Sequence, residues 1–133
     1  RSLDVARADG ATPLLFAAQW GRAEAVRLLL TAGARNVDAP RRDGATPLMS
    51  AVEEGHAEIV RLLLNAGARS VDAAKANGVT PLFMAVQRRD IEVVQLLLQA
   101  RAMSMDAPRA DGATPLLFAA GNGLGEIVRL LLG

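Results

Sequence analysis

Apolar residues along this chain fall in paired clusters separated by glycine and polar positions. In residues 41–74, Leu48, Ala51 and Val52 stand at i, i+3 and i+4, which predicts one apolar face on a short helix. Ile59, Val60, Leu62, Leu63 and Leu64 make a broader face, predicting a second helix from about Ala57 to Asn65. The boundaries carry their own chemistry. Asp43-Gly44 is a turn pair, Thr46 offers a side-chain oxygen as N-cap, and Pro47 suits the first helical position, where its missing N–H costs nothing. Gly55 ends the first helix, His56 begins the reversal, and Gly67 supplies a left-handed cap to the second. The stretch ARSVDAAKANG that follows reads as an extended loop into the next turn.

This unit recurs. DGATPL occurs at residues 9–14, 43–48 and 111–116, with NGVTPL at 77–82, so Thr12, Thr46, Thr80 and Thr114 are each 34 residues apart. A fixed period of this length predicts a repeat architecture. Neither short helix can bury its apolar face alone, so neighbouring units must stack.

The combined pattern DGATPL…AA…G…EIVRLLL…AGA resembles the ankyrin repeat in all four copies, over essentially the whole chain. The resemblance implies one all-α domain over residues 1–133, a solenoid of antiparallel helix pairs stacked in an L shape, with hairpin or loop fingers projecting at right angles. It divides the chain into repeats at about 7–40, 41–74, 75–108 and 109–133, with residues 1–6 as the tail of a preceding unit. It also implies binding of other proteins through the fingers and the first-helix face. Three features depart from the family pattern. An additional residue (Asn36, Ser70, Ser104) lengthens the usual period of 33 and should alter the fingers. Leu15, Met49, Phe83 and Leu117 stand where the family places His, so apolar contact replaces a polar network between repeats. In repeat three, Arg89 replaces the glycine found at 21, 55 and 123, and Arg101 the glycine at 33 and 67, which predicts a strained and weakest unit.

Composition narrows the picture. Apolar residues make up 51% of the chain, but only three Phe and one Trp are aromatic, so the core is built from Leu, Val, Ile and Ala. No alternating β-branched runs suggest a sandwich or barrel. Fifteen Lys and Arg against fourteen Asp and Glu give a net charge of +1, with no global attraction to nucleic acid or anionic membrane. Cysteine is absent, which excludes disulfides and thiolate metal sites. Apolar runs are too short to span a bilayer, and no signal peptide opens the chain. These features point to an intracellular, cytoplasmic protein.

The residue inventory argues against an enzyme and against a cofactor or metal. The single His56 falls where the resemblance implies a structural role between the helices, its imidazole expected to bond backbone groups at the reversal. Asp4, Asp38, Asp72 and Asp106 recur one repeat apart, too far for a shared ion, and are expected to cap local N–H groups. Adjacent Glu53 and Glu54 diverge around a helix by about 100° and cannot flank one bond. GNGLG at 121–125 lacks the strand and the Lys-Ser/Thr of a phosphate loop.

A recognition surface is the better reading. By the family pattern, Arg7, Arg41, Arg42, Lys75 and Arg109 lie on the fingers, with Arg7, Arg41, Lys75 and Arg109 forming a basic ladder. Gln19-Trp20, Glu53-Glu54, Gln87-Arg88 and Gly121-Asn122 occupy the variable pair of the first helices. The ladder is either a solvated edge that discourages strand pairing or a track for an acidic peptide; nucleic acid is the less favoured ligand. Trp20 is a candidate hot spot. The expected function is non-catalytic binding of a protein or peptide partner, the alternative being an engineered or structural scaffold without a natural ligand, or a piece of a longer array. The faces around Leu14, Leu28 to Leu30 and Leu130 to Leu132 are expected to lie open and to support weak self-association.

Overall fold

The computed structural model describes residues 6–34 and 36–133. Among them, eight α-helices follow one another in pairs: α1 (Pro13–Gln19) with α2 (Ala23–Thr31), α3 (Pro47–Glu53) with α4 (Ala57–Asn65), α5 (Pro81–Arg88) with α6 (Ile91–Gln99), and α7 (Pro115–Gly121) with α8 (Gly125–Leu132). Reversals of two or three residues join the helices within a pair. Among the described residues, one 3-10 turn spans Ser70–Asp72. No helix among the described residues is long and apolar enough to cross a membrane.

Each first helix starts in the same way. The hydroxyls of Thr12, Thr46, Thr80 and Thr114 accept the N–H groups of Leu15, Met49, Phe83 and Leu117 at 3.2, 3.1, 3.2 and 3.0 Å. Proline opens the first turn in all four. Each such cap stabilises its helix by about 1 kcal/mol, which matters for helices of only seven or eight residues.

First helices pack on first helices, in the order α1, α3, α5, α7, and second helices stack behind them as α2, α4, α6, α8. The seam is apolar. Leu15, Met49 and Phe83, the residues standing where the family places His, are fully buried, whereas Leu117 at the same register is 62% exposed. The Phe83 ring reaches the next pair and meets Phe118 at 5.9 Å between centroids. Two of the residues expected to lie open are instead covered: Leu14 and Leu131 are buried and join the continuous core, because α1 and α8 turn these positions toward their own packing neighbours. Leu28 and Leu132 are exposed as expected.

The fingers are tight turns, with no strand among the described residues in place of the β-hairpins that the resemblance implies. In each, the N–H of the leading residue bonds the carbonyl four residues on: Arg7 to Ala11, Arg41 to Ala45, Lys75 to Val79 and Arg109 to Ala113. Adjacent fingers touch closely. The Arg42 N–H donates to the Asp9 carbonyl, and that of Ala110 to the Asn77 carbonyl, both at 2.7 Å. A Cβ on Gly78 (φ +84) would fall 2.8 Å from the Arg109 Cα, so this glycine is required both by its left-handed backbone and by the next finger.

The recurring aspartates do not cap their own loops. The Asp38 carboxylate accepts the N–H groups of Arg69 and Ser70, and Asp72 accepts that of Met103, each bond reaching one repeat onward. Asp4 lies outside the described residues. On the second helices, Arg27 pairs with Glu58 and Arg61 with Glu92. The same register holds Gln95 opposite Glu126, so this ladder of ion pairs stops at repeat three. The additional residue of the period opens a turn: the carbonyls of Asn36, Ser70 and Ser104 accept the N–H groups of Ala39, Ala73 and Ala107. Ser70 and Ser104 are buried there, their hydroxyls without a partner among the described groups.

Arg89 and Arg101 have φ of 58° and 68°, the non-glycine residues in the left-handed region among those described. They occupy cap positions that glycine fills in the other repeats, and each costs about 1 kcal/mol or more. Arg101→Gly is therefore expected to raise stability by about 0.5–1 kcal/mol, strain relief outweighing the added freedom of the unfolded chain. Urea denaturation checks this; an unchanged or lower midpoint contradicts it.

Candidate interaction surface

The fingers and the C-terminal ends of the first helices share one side of the stack, and the residues singled out from the sequence divide into three groups there. Five of them, Glu53, Lys75, Gln87, Arg88 and Arg109, line a single cleft of about 340 Å³ together with Asn77, Val79 and Met84. Two others touch each other across the first interface: Arg41 Nη1 donates to Gln19 Oε1 at 3.3 Å. Arg7, Trp20, Arg42, Glu54 and Asn122 stand apart from the cleft. Trp20 closes α1 and is 61% exposed. Glu54 is the exposed C-cap of α3, Arg42 donates to the Ala8 carbonyl, and Asn122 turns back to donate to the Phe118 carbonyl.

The local sequence explains how the cleft is built. Lys75 and Arg109 lead the third and fourth fingers, and their backbone N–H bonds to Val79 and Ala113 hold each turn closed. Arg88 lies in the last turn of α5, where Nη1 donates to the Glu53 carbonyl at 3.0 Å and the guanidinium spreads over Gly55. The absence of a Cβ at Gly55 leaves room for it, since one would come within 2.5 Å of Arg88 Nη2. Val79 and Met84 are buried beneath these polar groups and give the cleft an apolar floor. His56 is the counterpart of Arg88 at the preceding interface. Its ring packs against Gly21, so its role is packing, in place of the backbone hydrogen bond expected for it.

The basic ladder is largely neutralised within its own fingers. Arg7 Nη2 is 2.5 Å from Asp9 Oδ2, Arg41 Nε is 3.1 Å from Asp43 Oδ1, and Arg109 Nε is 2.9 Å from Asp111 Oδ1. Arg7 and Arg109 also cover aromatic faces, those of Phe16 and Phe83, at 4.3 and 4.9 Å. The sequence reading missed this pairing, although the Arg-x-Asp spacing is visible at 7–9, 41–43 and 109–111. Asn77 and Val79 fall at finger positions of the family pattern, whereas Met84 was not singled out from the sequence. Asn77 breaks the Arg-x-Asp pattern, and the burial of Val79 and Met84 follows only from the packing.

The arginine hydrogen bonds, helped by the N–H groups of Ala11 and Ala113, pull the Asp9 and Asp111 carboxyls down to about 2, and Asp43 shifts the same way beside Arg41. A carboxyl whose folded pKa lies below its ordinary 3.8 contributes stability that is complete above that value and lost as pH falls toward 2. The denaturation midpoint is thus expected to fall between about pH 4 and pH 2, and replacing Asp9 and Asp111 with Asn should flatten that fall. Acid titrations of the two proteins test this; identical slopes contradict it.

A family model described as ankyrin repeats in three copies matches residues 2–74 and again 69–133. No curated protein matches the chain. Ankyrin repeats are generally protein–protein interaction modules and are typically non-catalytic. With matched residues running from 2 to 133 and a Thr-capped helix pair returning every 34 residues, the chain belongs to the ankyrin-repeat family.

Proposed function

We propose that this chain is a non-catalytic recognition module that binds a protein or peptide partner along the fingers and first-helix ends. One observation carries the reading: five side chains from different fingers and helices (Glu53, Lys75, Gln87, Arg88 and Arg109) converge on one cleft with a buried apolar floor. Sparse polar groups over an apolar base are the ordinary make-up of a recognition site. The neighbouring Trp20, more than half exposed beside the Gln19–Arg41 bond, extends the same surface toward the first finger. Roughly 40 Å of stack, at about 10 Å per helix layer, accommodates a standard interface of about 800 Å² per partner. The chemistry requires no cofactor, and the location we assign is intracellular and cytoplasmic, where such a partner would be met.

A second copy of the chain is a further partner of lower affinity. Leu117 is exposed at the register where Leu15, Met49 and Phe83 are wholly buried, and Leu132 is 66% exposed. Burying such surface is worth about 25 cal/mol per Å².

Immobilised chain tests both statements. Cell proteins retained by the native chain should be lost with Lys75→Ala/Gln87→Ala/Arg88→Ala and kept with Asn65→Ala/Gln99→Ala on the second helices. Free copies of the chain should be retained weakly, and less so when they carry Leu117→Ser. Equal retention by both multiple variants would contradict the proposed surface; a chain that retains nothing specific would favour a scaffold without a natural ligand.

A further inference from the structure

Three of the four fingers carry the same device. The aspartates at 9, 43 and 111 each perform two tasks: Oδ1 accepts the N–H of Ala11, Ala45 or Ala113 at 3.0 Å, and the carboxylate pairs with the arginine two residues earlier. The third finger keeps the first task and drops the second. Asn77 Oδ1 accepts the Val79 N–H, also at 3.0 Å, so the turn is the same. An amide carries no charge, however, so Lys75 brings to this finger a cation that its own turn does not cancel. Only the charge has changed.

That charge lies in the cleft. Of the cations lining it, Arg109 is committed to Asp111, while Arg88 bonds only a neutral carbonyl, that of Glu53, and so retains its charge. Lys75 feels the Asp43 carboxylate of the second finger, which is itself hydrogen-bonded to Arg41. Two cations, Lys75 and Arg88, set against the one Glu53 carboxylate, therefore leave the cleft net positive over the buried side chains of Val79 and Met84. Their charge calls for an anion, and the apolar floor calls for a neighbouring hydrocarbon group. Phosphate chains fit less well, because a nucleic acid presents a charge every few ångströms with no apolar group between to cover Val79 and Met84.

Resting on the reading of this surface as a recognition site, we propose that the cleft between the third and fourth fingers is a subsite for an acidic side chain of an extended peptide segment. Lys75 and Arg88 hold its carboxylate, and an adjacent apolar residue covers Met84 and Val79. The replacement of the finger aspartate by Asn77 creates the subsite.

A short capped peptide alternating glutamate and leucine is the probe, compared with the same peptide carrying glutamine and with oligothymidylate, by amide NMR titration of the full chain. The glutamate peptide should shift amides of residues 75–79 and 84–88, bind more weakly as salt rises, and bind better than the glutamine peptide. Asn77→Asp restores the turn aspartate of the other fingers, so it should fold normally, yet weaken the glutamate peptide roughly three- to tenfold, the scale of one partly exposed charge pair. Lys75→Gln should do the same. Unchanged affinity in Asn77→Asp, equal binding of both peptides, or tighter binding of oligothymidylate at these amides overturns the proposal. Peptide shifts confined to residues near Gln19 and Trp20 also overturn it while leaving the wider recognition surface standing. Loss of lysate capture in the triple variant but not in Asn77→Asp separates the two in the same way.

Discussion

Helices of seven to nine residues are too short to persist alone, so the whole molecule depends on one constraint: each helix pair must pack its apolar face against the next, as α1, α3, α5 and α7 do in turn. Leu15, Met49 and Phe83, the residues that follow Thr-Pro-Leu, are fully buried, and the Phe83 ring meets Phe118 of the next pair. Elements on either side of the seam serve the same end. Thr caps set the start of each first helix, backbone bonds of 2.7 Å join the first finger to the second and the third to the fourth, and Asp38 and Asp72 reach forward to the backbone of the following loop. Coupling is therefore between neighbours, as in other quasi-one-dimensional stacks. The exposed ion pairs Arg27–Glu58 and Arg61–Glu92 add little beside it.

Repeat three is where these devices are relaxed together. Arg89 and Arg101 take the left-handed conformation without being glycine, Gln95 replaces the arginine of the outer ladder, and Asn77 replaces the finger aspartate. Its core is nonetheless complete, with Leu82, Phe83, Ala85, Val86, Val93, Val94 and Leu97 fully buried. Side-chain burial thus carries the unit while its caps and surface charges diverge. Divergence of that kind is tolerated only where packing leaves a margin, and it coincides here with the cleft that gathers five of the candidate contact residues.

Much of this was legible in the sequence because it rests on local chemistry. Thr-Pro pairs mark the helix starts, the Ala57–Asn65 helix follows from apolar spacing alone, and the strained Arg89 and Arg101 stand out against the glycines of their sister repeats. What escaped was set by contacts across repeats. The aspartates at 38 and 72 bond a backbone 31 residues away, which no local turn rule detects. Leu14 and Leu131 are buried by neighbours whose positions depend on the stacking itself. The candidate site was half visible: the fingers and variable pairs were named, but the cancellation of Arg7, Arg41 and Arg109 by their own aspartates turned a uniform basic ladder into one cleft with uncancelled charge.

The packing of each helix pair against the next is tested most directly by truncating an apolar side chain at two registers of the same chain. Phe83 and Leu117 occupy equivalent positions, one fully buried and one 62% exposed. Urea denaturation of Phe83→Ala should show a loss of about 3–5 kcal/mol, and of Leu117→Ala less than about 0.5 kcal/mol. Similar losses at the two positions would contradict the account, since they would mean that each helix pair is held by contacts within itself and not by its neighbour.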